Sequence, residues 1–247
     1  MGKSWMPGAK RGQTSMNESQ NQRAERAFFG RRKGRLLRPR QAGLLDTLLP
    51  RLAVDLSKPA PADLAALFAQ PIDEVRLEIG FGGGEHLIAQ AHDCPRTGFI
   101  GSDAFLNAMA KVLTAIDQNA VPNIRLHFGD ATELIDWLPR ASLARVDLLY
   151  PDPWPKRRHW KRRFVQDSSI ADIARMLRPG GEFRFATDIP DYAAWTLTRM
   201  LRSPDFTWTA ECADDWRTSW PGFTGTRYEA KAKREMRVPC YLIFRRN

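Results

Sequence analysis

The hydrophobic pattern divides the chain into a polar start, a helical stretch and a long alternating region. Residues 1–25 are polar and rich in Gln, Asn, Ser and Gly, a composition typical of disorder. Residues 41–56 place leucines on one stripe at helical spacing, which predicts a helix, and a short helix is expected over Leu64–Phe68. From Val75 onward, short apolar runs alternate with amphipathic stretches, which predicts strands and helices in turn.

This alternation predicts an α/β fold, a doubly wound and mostly parallel sheet with helices on both faces. A turn is expected at Arg178-Pro179-Gly180-Gly181. The predicted strands are Val75–Ile79, Gly98–Ser102, Ile124–Phe128, Val146–Tyr150, Glu182–Ala186 and a closing pair, Phe206–Glu211 and Cys240–Phe244. The predicted helices are Glu85–Ala91, Leu106–Gln118, Thr132–Leu138, Phe164–Met176 and Asp191–Leu201.

Length and composition fit one domain preceded by a basic arm. With 247 residues, 43% of them hydrophobic and 27% charged, the chain can bury one substantial core. We expect a largely disordered arm over residues 1–40 and a single domain over residues 41–247. The sequence has no apolar run of about eighteen residues and no apolar leader, so we expect a cytoplasmic protein without a membrane span or secretory signal. An Arg-rich mitochondrial transit peptide stays open.

Cysteine and histidine spacing indicates neither a disulfide nor a metal site. Cys94, Cys212 and Cys240 stand far apart and form no CxxC pair, which is typical of isolated reduced thiols. None of the four histidines is spaced with them as in a zinc site. We therefore expect no metal site. As a separate expectation, the chain is a monomer or a weak homodimer.

The net charge of +10 is concentrated in three segments. Residues 1–40 contain eleven Lys and Arg against two acids, and residues 156–163 contain six basic residues and no acid. A third group consists of Lys231, Lys233, Arg234 and Arg237. Because the remainder is net acidic, this distribution favours a nucleic-acid partner over a merely solvated basic face. The stretch from Phe28 to Arg40 mixes arginines with apolar residues, and we expect it to dock or become ordered on RNA.

A glycine loop and three acids indicate the ligand. Gly80-Phe81-Gly82-Gly83-Gly84 follows the first strand, at the edge where such sheets bind ligands, although plain glycine turns are common there. Asp103 ends the second strand and can hold ribose hydroxyls of a dinucleotide or of S-adenosylmethionine. Glu78 suits a cationic amino-acid group better than a pyrophosphate, and Asp130 can accept a hydrogen bond from the adenine amine. The set favours S-adenosylmethionine.

A proline-rich segment follows the fourth strand at the same edge. In Pro151-Asp152-Pro153-Trp154-Pro155 the prolines fix φ and remove donors, which holds the carboxylate of Asp152 in a stiff loop. Trp154 offers a ring on which a base can stack. The six basic residues of the 156–163 segment come directly afterwards and can hold phosphates while the base enters. This combination favours a substrate site over a rigid turn with a buried tryptophan.

These motifs closely resemble those of the bacterial tRNA (guanine-N7-)-methyltransferases, which are Rossmann-like class I S-adenosylmethionine-dependent enzymes. The matches span about residues 75–246 and exclude the N-terminal arm. The Pro-Asp-Pro-Trp segment with its basic tail is highly specific to that family, whereas many methyltransferases share the glycine loop. The matching runs are 77–85, 151–156 with Arg158-His159 and Lys161-Arg162-Arg163, Ala186-Thr187-Asp188 and Thr226-Arg227-Tyr228-Glu229.

The resemblance implies a role for each of these residues. Asp152 is implied to be catalytic. The residues implied to contact S-adenosylmethionine or shape its site are Glu78, Gly80, Gly82, Asp103, Asp130 and Asp152. Those implied to contact the substrate are Lys156, Asp188, Thr226, Arg227, Tyr228 and Glu229, and those implied to contact RNA are Arg158, His159, Lys161, Arg162 and Arg163. The family more often has Glu where this chain has Asp103, and the chain lacks a glycine expected after Glu229.

The resemblance implies methyl transfer to N7 of a guanine in tRNA, the variable-loop guanosine. Since N7 carries an available lone pair at neutral pH, no base is needed, which fits a site without a candidate His or Cys nucleophile. We expect direct in-line transfer driven by proximity, with Asp152 or Asp188 stabilising charge and with local opening of the RNA.

Several alternatives stay open at this point. The first alternative is an S-adenosylmethionine-dependent methyltransferase that acts on another RNA, on a protein or on a small molecule. A NAD-dependent oxidoreductase on a similar sheet is disfavoured by Glu78 and by the basic segment. A non-catalytic RNA-binding protein is disfavoured by the complete set of acids at the strand ends.

Overall fold

The computed structural model describes residue 30 and residues 32–247; the disorder predicted over residues 1–25 and the docking predicted for Phe28 and Phe29 lie outside the described residues. Seven strands form one sheet in the order β3-β2-β1-β4-β5-β7-β6. They are β1 (Glu74–Ile79), β2 (Thr97–Asp103), β3 (Ile124–Phe128), β4 (Leu143–Leu149), β5 (Leu177–Thr187), β6 (Phe206–Trp208) and β7 (Cys240–Arg246). The helices are α1 (Pro39–Thr47), α2 (Leu49–Leu52), α3 (Glu85–Asp93), α4 (Leu106–Asn119), α5 (Ala131–Trp137), α6 (Asp167–Met176), α7 (Pro190–Met200), α8 (Asp214–Arg217) and α9 (Arg227–Arg234), with 3₁₀ turns at Leu64–Leu67 and Arg157–Arg162.

The predicted fold class is confirmed. Strands β1 to β5 run parallel, and β7 pairs antiparallel with both β5 and β6. From β1 the chain moves to β2 and β3 on one side and then returns to add β4 and β5 on the other side. The strand order therefore reverses between β1 and β4, and a crevice at their carboxyl ends is the position where such sheets bind ligands.

Apolar side chains from the sheet and helices form two main clusters. The larger contains Leu77, Val146 and Phe185 from the sheet with Ile170 and Ile173 from α6. The smaller packs the apolar face of α4 against α3 and the β2–β3 edge, and the leucines of α1 lie against it. The leucine stripe predicted before residue 53 therefore covers the core as expected for an amphipathic helix.

Three predicted elements differ from the structure. The helix predicted over residues 41–56 ends at Leu52, because Val54 N–H donates to the Leu126 carbonyl at 2.9 Å and joins the chain to the sheet edge. The turn predicted at 178–181 is a bulge inside β5, since Leu177 pairs with Leu143 and Glu182 pairs with Arg145. The strand predicted over Phe206–Glu211 ends at Trp208.

The basic segment before α1 is attached to the domain. Leu106 N–H donates to the Arg32 carbonyl at 2.9 Å, and Asn107 bonds both the Gly34 N–H (2.8 Å) and the Arg35 carbonyl (2.7 Å). A Cβ at Gly34 would lie 2.7 Å from the Asn107 amide oxygen and 2.8 Å from the Phe105 ring, so a larger residue here would displace these side chains. The part of the predicted arm that the structure describes is thus held on α4.

Candidate active site

A cavity of about 750 Å³ opens where the strand order reverses. Its walls come from the loops after β1, β2, β3 and β4, joined by residues near α6 and α9. Its size suits a nucleoside-sized ligand with room for a second base. The predicted site residues that line it are Gly80, Gly82, Asp103, Asp130, Asp152, Lys161, Arg162, Arg163, Arg227 and Tyr228.

The glycine loop turns sharply at the mouth of β1. Gly80 and Gly82 have φ values of +71° and +57°, which side-chain-bearing residues rarely adopt. A Cβ at Gly82 would lie 3.3 Å from the Tyr228 ring and 3.5 Å from the Arg227 guanidinium, whereas Gly80 faces open space. The loop therefore exposes backbone to the cavity and leaves room for a ligand.

Two carboxylates line the cavity from neighbouring strand ends. Asp103 accepts hydrogen bonds from the N–H groups of Gly82 (2.9 Å) and Phe105 (2.8 Å), so it fixes the glycine loop as well as facing the cavity. Burial raises the pKa of Asp103 despite these two bonds. Asp130 caps the N-terminus of α5 by accepting from Thr132 N–H at 3.0 Å. Acids of this kind suit hydroxyl and amine donors better than a phosphate.

Glu78 is not among the residues that line the cavity. Its carboxylate is buried, and Oε2 lies 2.8 Å from Nδ1 of the buried His86. The neighbouring Arg145 donates to Asp147 (2.8 Å) and Gln90 (2.8 Å), which continues a buried polar network under the loop. The predicted contact between Glu78 and S-adenosylmethionine stays a prediction.

The Pro-Asp-Pro-Trp loop is backbone-strained at both ends. Tyr150 and Trp154 have φ values of +51° and +42°, which are unfavourable for aromatic residues. Asp152 lines the cavity, and no described residue donates a hydrogen bond to its carboxylate. The surrounding protein raises the pKa of Asp152 by desolvation. Its oxygens are therefore available to a substrate.

The basic segment after this loop divides into exposed and buried side chains. Lys156, Arg158 and Lys161 are exposed, and the 3₁₀ turn Arg157–Arg162 presents them near the cavity. The Trp154 ring lies edge-on to His159, and the Arg162 guanidinium stands 5.0 Å from its centroid. Arg163 differs from the predicted RNA contacts because its side chain is 0% exposed.

The four residues before and within α9 have two different functions. Thr226 accepts a hydrogen bond from Glu229 N–H at 3.1 Å and caps the helix. Glu229 is buried and accepts from the Tyr241 hydroxyl at 2.7 Å. Arg227 and Tyr228 line the cavity. Only the middle two of the four predicted substrate contacts thus reach the cavity wall.

Asp188 pairs with Arg237 of the C-terminal basic group, and Lys231 and Lys233 of that group pair with nearby acids. Arg237 Nε donates to Asp188 at 2.5 Å, and Lys233 pairs with Glu229 at 2.5 Å. Asp188 does not line the cavity, and its predicted substrate contact would require a change of partner. This group is therefore less available to phosphates than the sequence indicates.

Several cavity residues were not predicted from the sequence, namely Phe105, Tyr150, Phe164, Gln166 and Ser168. Tyr150 is the last residue of the predicted strand Val146–Tyr150, and Phe105 follows the predicted strand Gly98–Ser102 by three residues, so their position near strand ends was a usable signal. The other three precede or begin α6 and carry no motif. Among the described residues, no cluster of three metal-ligating side chains occurs, and no helix has the length and apolar character to cross a bilayer.

Comparison with known proteins gives a consistent set of relatives. A family model described as a putative methyltransferase matches residues 73–239. A tRNA (guanine-N(7)-)-methyltransferase of Nitrobacter hamburgensis is 61% identical over 220 residues, covering 89% of this chain and 86% of that relative. One of Rhizobium meliloti is 58% identical over 231 residues, covering 94% and 100%. The crystal structure of the 16S rRNA methyltransferase KamB has a TM-score of 0.52 at 18% identity, covering 71% of this chain and 89% of that one, and supports the fold alone.

Proposed function

The chain belongs to the tRNA (guanine-N(7)-)-methyltransferase family, and we propose that its cavity transfers the methyl group of S-adenosylmethionine to N7 of a guanine in tRNA. The observation that carries this assignment is the position of Asp152. It stands in a stiff loop between the acid-lined end of the cavity and the exposed cations of the 156–163 segment. The methyl donor and the RNA therefore approach it from two sides.

The acid-lined end fits the methyl donor. The glycine loop leaves space at Gly80, and Asp103 and Asp130 offer acceptors to hydroxyl and amine groups. S-adenosylmethionine supplies a methyl group on a positively charged sulfur. We assign Asp103 to the ribose of the methyl donor and Asp130 to its adenine. The aspartate side chain at position 103, shorter than the glutamate that is more frequent in the family, suits the two hydrogen bonds that Asp103 accepts from the Gly82 and Phe105 N–H groups.

The chain's own contribution to the reaction is positioning and charge. Guanine N7 has a free lone pair, so no residue has to remove a proton from it. The guanine gains positive charge as the methyl group arrives, and the Asp152 carboxylate, which lines the cavity, stabilises that charge. Trp154 gives the base a ring to stack on. Arg227 and Tyr228 line the cavity next to Gly82 of the glycine loop.

Exposed cations around the cavity give tRNA phosphates a docking surface. They are the exposed cations of the 156–163 segment together with Lys33, Arg35 and Arg38. Reaching a tertiary-paired guanine requires that the nucleotide leave its stack. We assign the modified nucleotide to the variable-loop guanosine, and the site of action to the cytoplasm. We also infer a monomer or a weak homodimer.

Nucleoside analysis tests this function. The protein is incubated with S-adenosylmethionine and unmodified tRNA, and the digested RNA is separated by mass spectrometry. We expect one new nucleoside, N7-methylguanosine, at no more than one methyl group per tRNA. Methylation of another base, or of protein in place of RNA, would refute the assignment.

A further inference from the structure

Arg163 is buried at the end of a basic segment in which four of the other cations face solvent. Its side chain is 0% exposed, whereas Lys156, Arg157, Arg158 and Lys161 are exposed. A phosphate cannot reach this guanidinium without rearrangement of its surroundings. Because burying a charged group costs free energy, the partners of Arg163 indicate what it does there.

Three aromatic rings enclose the Arg163 guanidinium. Its Cζ lies 5.0 Å from the Trp160 centroid, 4.9 Å from that of Tyr192 and 4.9 Å from that of Trp195. A terminal nitrogen also pairs with the carboxylate of Asp191 in the first turn of α7. Stacking and ion pairing together compensate the buried charge and fix the direction of the side chain.

The hydrogen bond from Arg163 reaches the Pro-Asp-Pro-Trp loop. Its Nε donates to the Pro153 carbonyl at 2.9 Å. Three of the five residues 151–155 are prolines without an N–H, and no backbone–backbone hydrogen bond joins residues 151–155 to the rest of the described chain. The other side-chain bond to this loop, from Trp160 Nε1 to the Pro155 carbonyl, is longer at 3.4 Å. Of these two hydrogen bonds from side chains outside the loop, the one from Arg163 is the shorter.

Strain at both ends of the loop makes an anchor necessary. Tyr150 and Trp154 both lie in the left-handed region, where an L side chain is disfavoured. Such conformations persist only when neighbouring structure holds them in place. Without the bond to Pro153, the loop would relax and the groups on either side of that residue would move.

We propose that Arg163 is a positioning residue for methyl transfer: its bond to the Pro153 carbonyl holds Asp152 and Trp154, the residues on either side, in their places at the cavity. Although Arg163 belongs to the cavity wall, its side chain is buried, and in this role it acts through the loop and not by contact with RNA or methyl donor. The expected loss of methylation rate rests on the proposed function. The expected movement of Asp152 and Trp154 does not depend on that function.

Arg163→Ala tests the proposal in kinetics and in RNA binding. We expect the single-turnover rate at saturating tRNA and S-adenosylmethionine to fall about 100-fold, the loss that a displacement of about 1 Å causes. The Kd for tRNA and its salt dependence should stay at wild-type values, since no phosphate contact is lost. Free guanidinium ion, added at a concentration that leaves the wild type unchanged, should restore part of the rate by filling the aromatic enclosure.

Arg199→Ala is the matched control. The Arg199 guanidinium also stacks on Trp195, with Cζ 3.3 Å from the centroid, but does not bond the 151–155 loop. This variant should keep the wild-type rate. If Arg163→Ala does not fold, Arg163→Lys replaces it, because lysine keeps the charge and the aliphatic stem but not the planar fork. A folded Arg163 variant with a wild-type rate, or one that loses mainly tRNA affinity and salt dependence, would overturn the proposal.

Fluorine NMR separates this proposal from the proposed function. The protein is labelled with 5-fluorotryptophan, and the Trp154 signal is identified by its absence in Trp154→Phe. We expect one sharp Trp154 signal in the wild type and in Arg199→Ala, and a broadened or split signal in Arg163→Ala. An unchanged signal would contradict the positioning role. A wild type that methylates no tRNA, with the NMR change present, would contradict only the proposed function.

Discussion

The carboxylate of Glu78 and the imidazole of His86 form a buried pair, with Oε2 and Nδ1 2.8 Å apart. The two residues flank the glycine loop in the sequence, so their contact fixes the first turn of α3 against the end of β1. Asp147 and Arg145 of β4 are the other charged groups whose fields reach this pair. Support for the glycine loop thus depends on a titratable contact.

This pair predicts that stability decreases above neutral pH. Burial lowers the pKa of His86, but the charge and hydrogen bond of Glu78 outweigh it and raise that pKa above 6.5. Burial also raises the pKa of Glu78. Both groups therefore hold protons more tightly when folded. The stabilisation from Glu78 is lost as the pH rises above 4.5 through the folded pKa of Glu78, and the stabilisation from His86 is lost as the pH rises above 6.5 through the folded pKa of His86. Denaturant unfolding between pH about 6 and about 9 measures it.

His86→Gln keeps a hydrogen-bond donor but does not titrate. We expect its free energy of unfolding to fall less steeply over this range than that of the wild type. His92→Gln changes an exposed histidine of the same helix and should follow the wild type. Equal slopes for the wild type and His86→Gln would show that the pair does not carry the dependence.

The conformation of the glycine loop predicts that adding one methyl group, in Gly82→Ala, lowers the free energy of unfolding. In Gly82→Ala the residue keeps a φ near +57° and meets the Tyr228 ring at 3.3 Å. We expect a loss of about 1–2 kcal/mol in the free energy of unfolding, since a left-handed conformation costs that much for an L residue. Binding of S-adenosylhomocysteine, measured by calorimetry, should weaken because the loop shifts.

Gly43→Ala is the control for this substitution. Gly43 lies in α1 with no atom within 4 Å of an added Cβ, so alanine should stabilise the protein by about 0.5–1 kcal/mol. Its affinity for S-adenosylhomocysteine should be unchanged. A Gly82→Ala protein that is as stable and binds as tightly as the wild type would refute the account of the loop.

The features that could be predicted from the sequence are those whose pattern lies within a short stretch of the chain. The strand–helix alternation, the glycine loop and the Pro-Asp-Pro-Trp segment are local patterns, and the structure brings Gly80, Gly82, Asp103, Asp130 and Asp152 to one cavity. Carboxyl ends of parallel strands share one edge of a sheet, so the topology alone brings these residues together.

Residues whose surroundings come from distant parts of the chain could not be predicted in this way. Arg163 reads as one more cation of a basic run, and its burial depends on Tyr192 and Trp195 of α7. Asp188 pairs with Arg237, which follows it by about fifty residues. Such pairings depend on how whole helices and strands pack against each other, and the chemical type of a single residue does not predict that packing.

The N-terminal segment predicts a change in the salt dependence of tRNA binding. Deleting residues 1–37 removes nine Lys and Arg residues and two Glu residues while leaving α1 and its N-cap Arg38 in place. We expect the slope of log K against log salt to become shallower by about 0.7–0.9 for each lost phosphate contact. Filter binding over a range of salt concentrations measures it.

Asn107→Ala controls for the placement of that segment. It removes the bonds to Gly34 and Arg35 but none of the positive charge. Its slope should stay close to that of the wild type, with a weaker affinity because the cations are no longer held beside the cavity. A deletion that leaves the slope unchanged would mean that the segment does not contact phosphates.

Cleavage mapping with wild-type protein and Asp152→Asn tests the central claim most directly. Treated tRNA is reduced with borohydride and cleaved with aniline at N7-methylguanosine, while tRNA affinity is measured in parallel and Asp46→Asn serves as an exposed control. We predict one cleavage at the variable-loop guanosine with the wild type and the control, and nearly none with Asp152→Asn at an unchanged tRNA Kd. Undiminished cleavage by Asp152→Asn, or equal loss of cleavage and tRNA binding, would contradict the account.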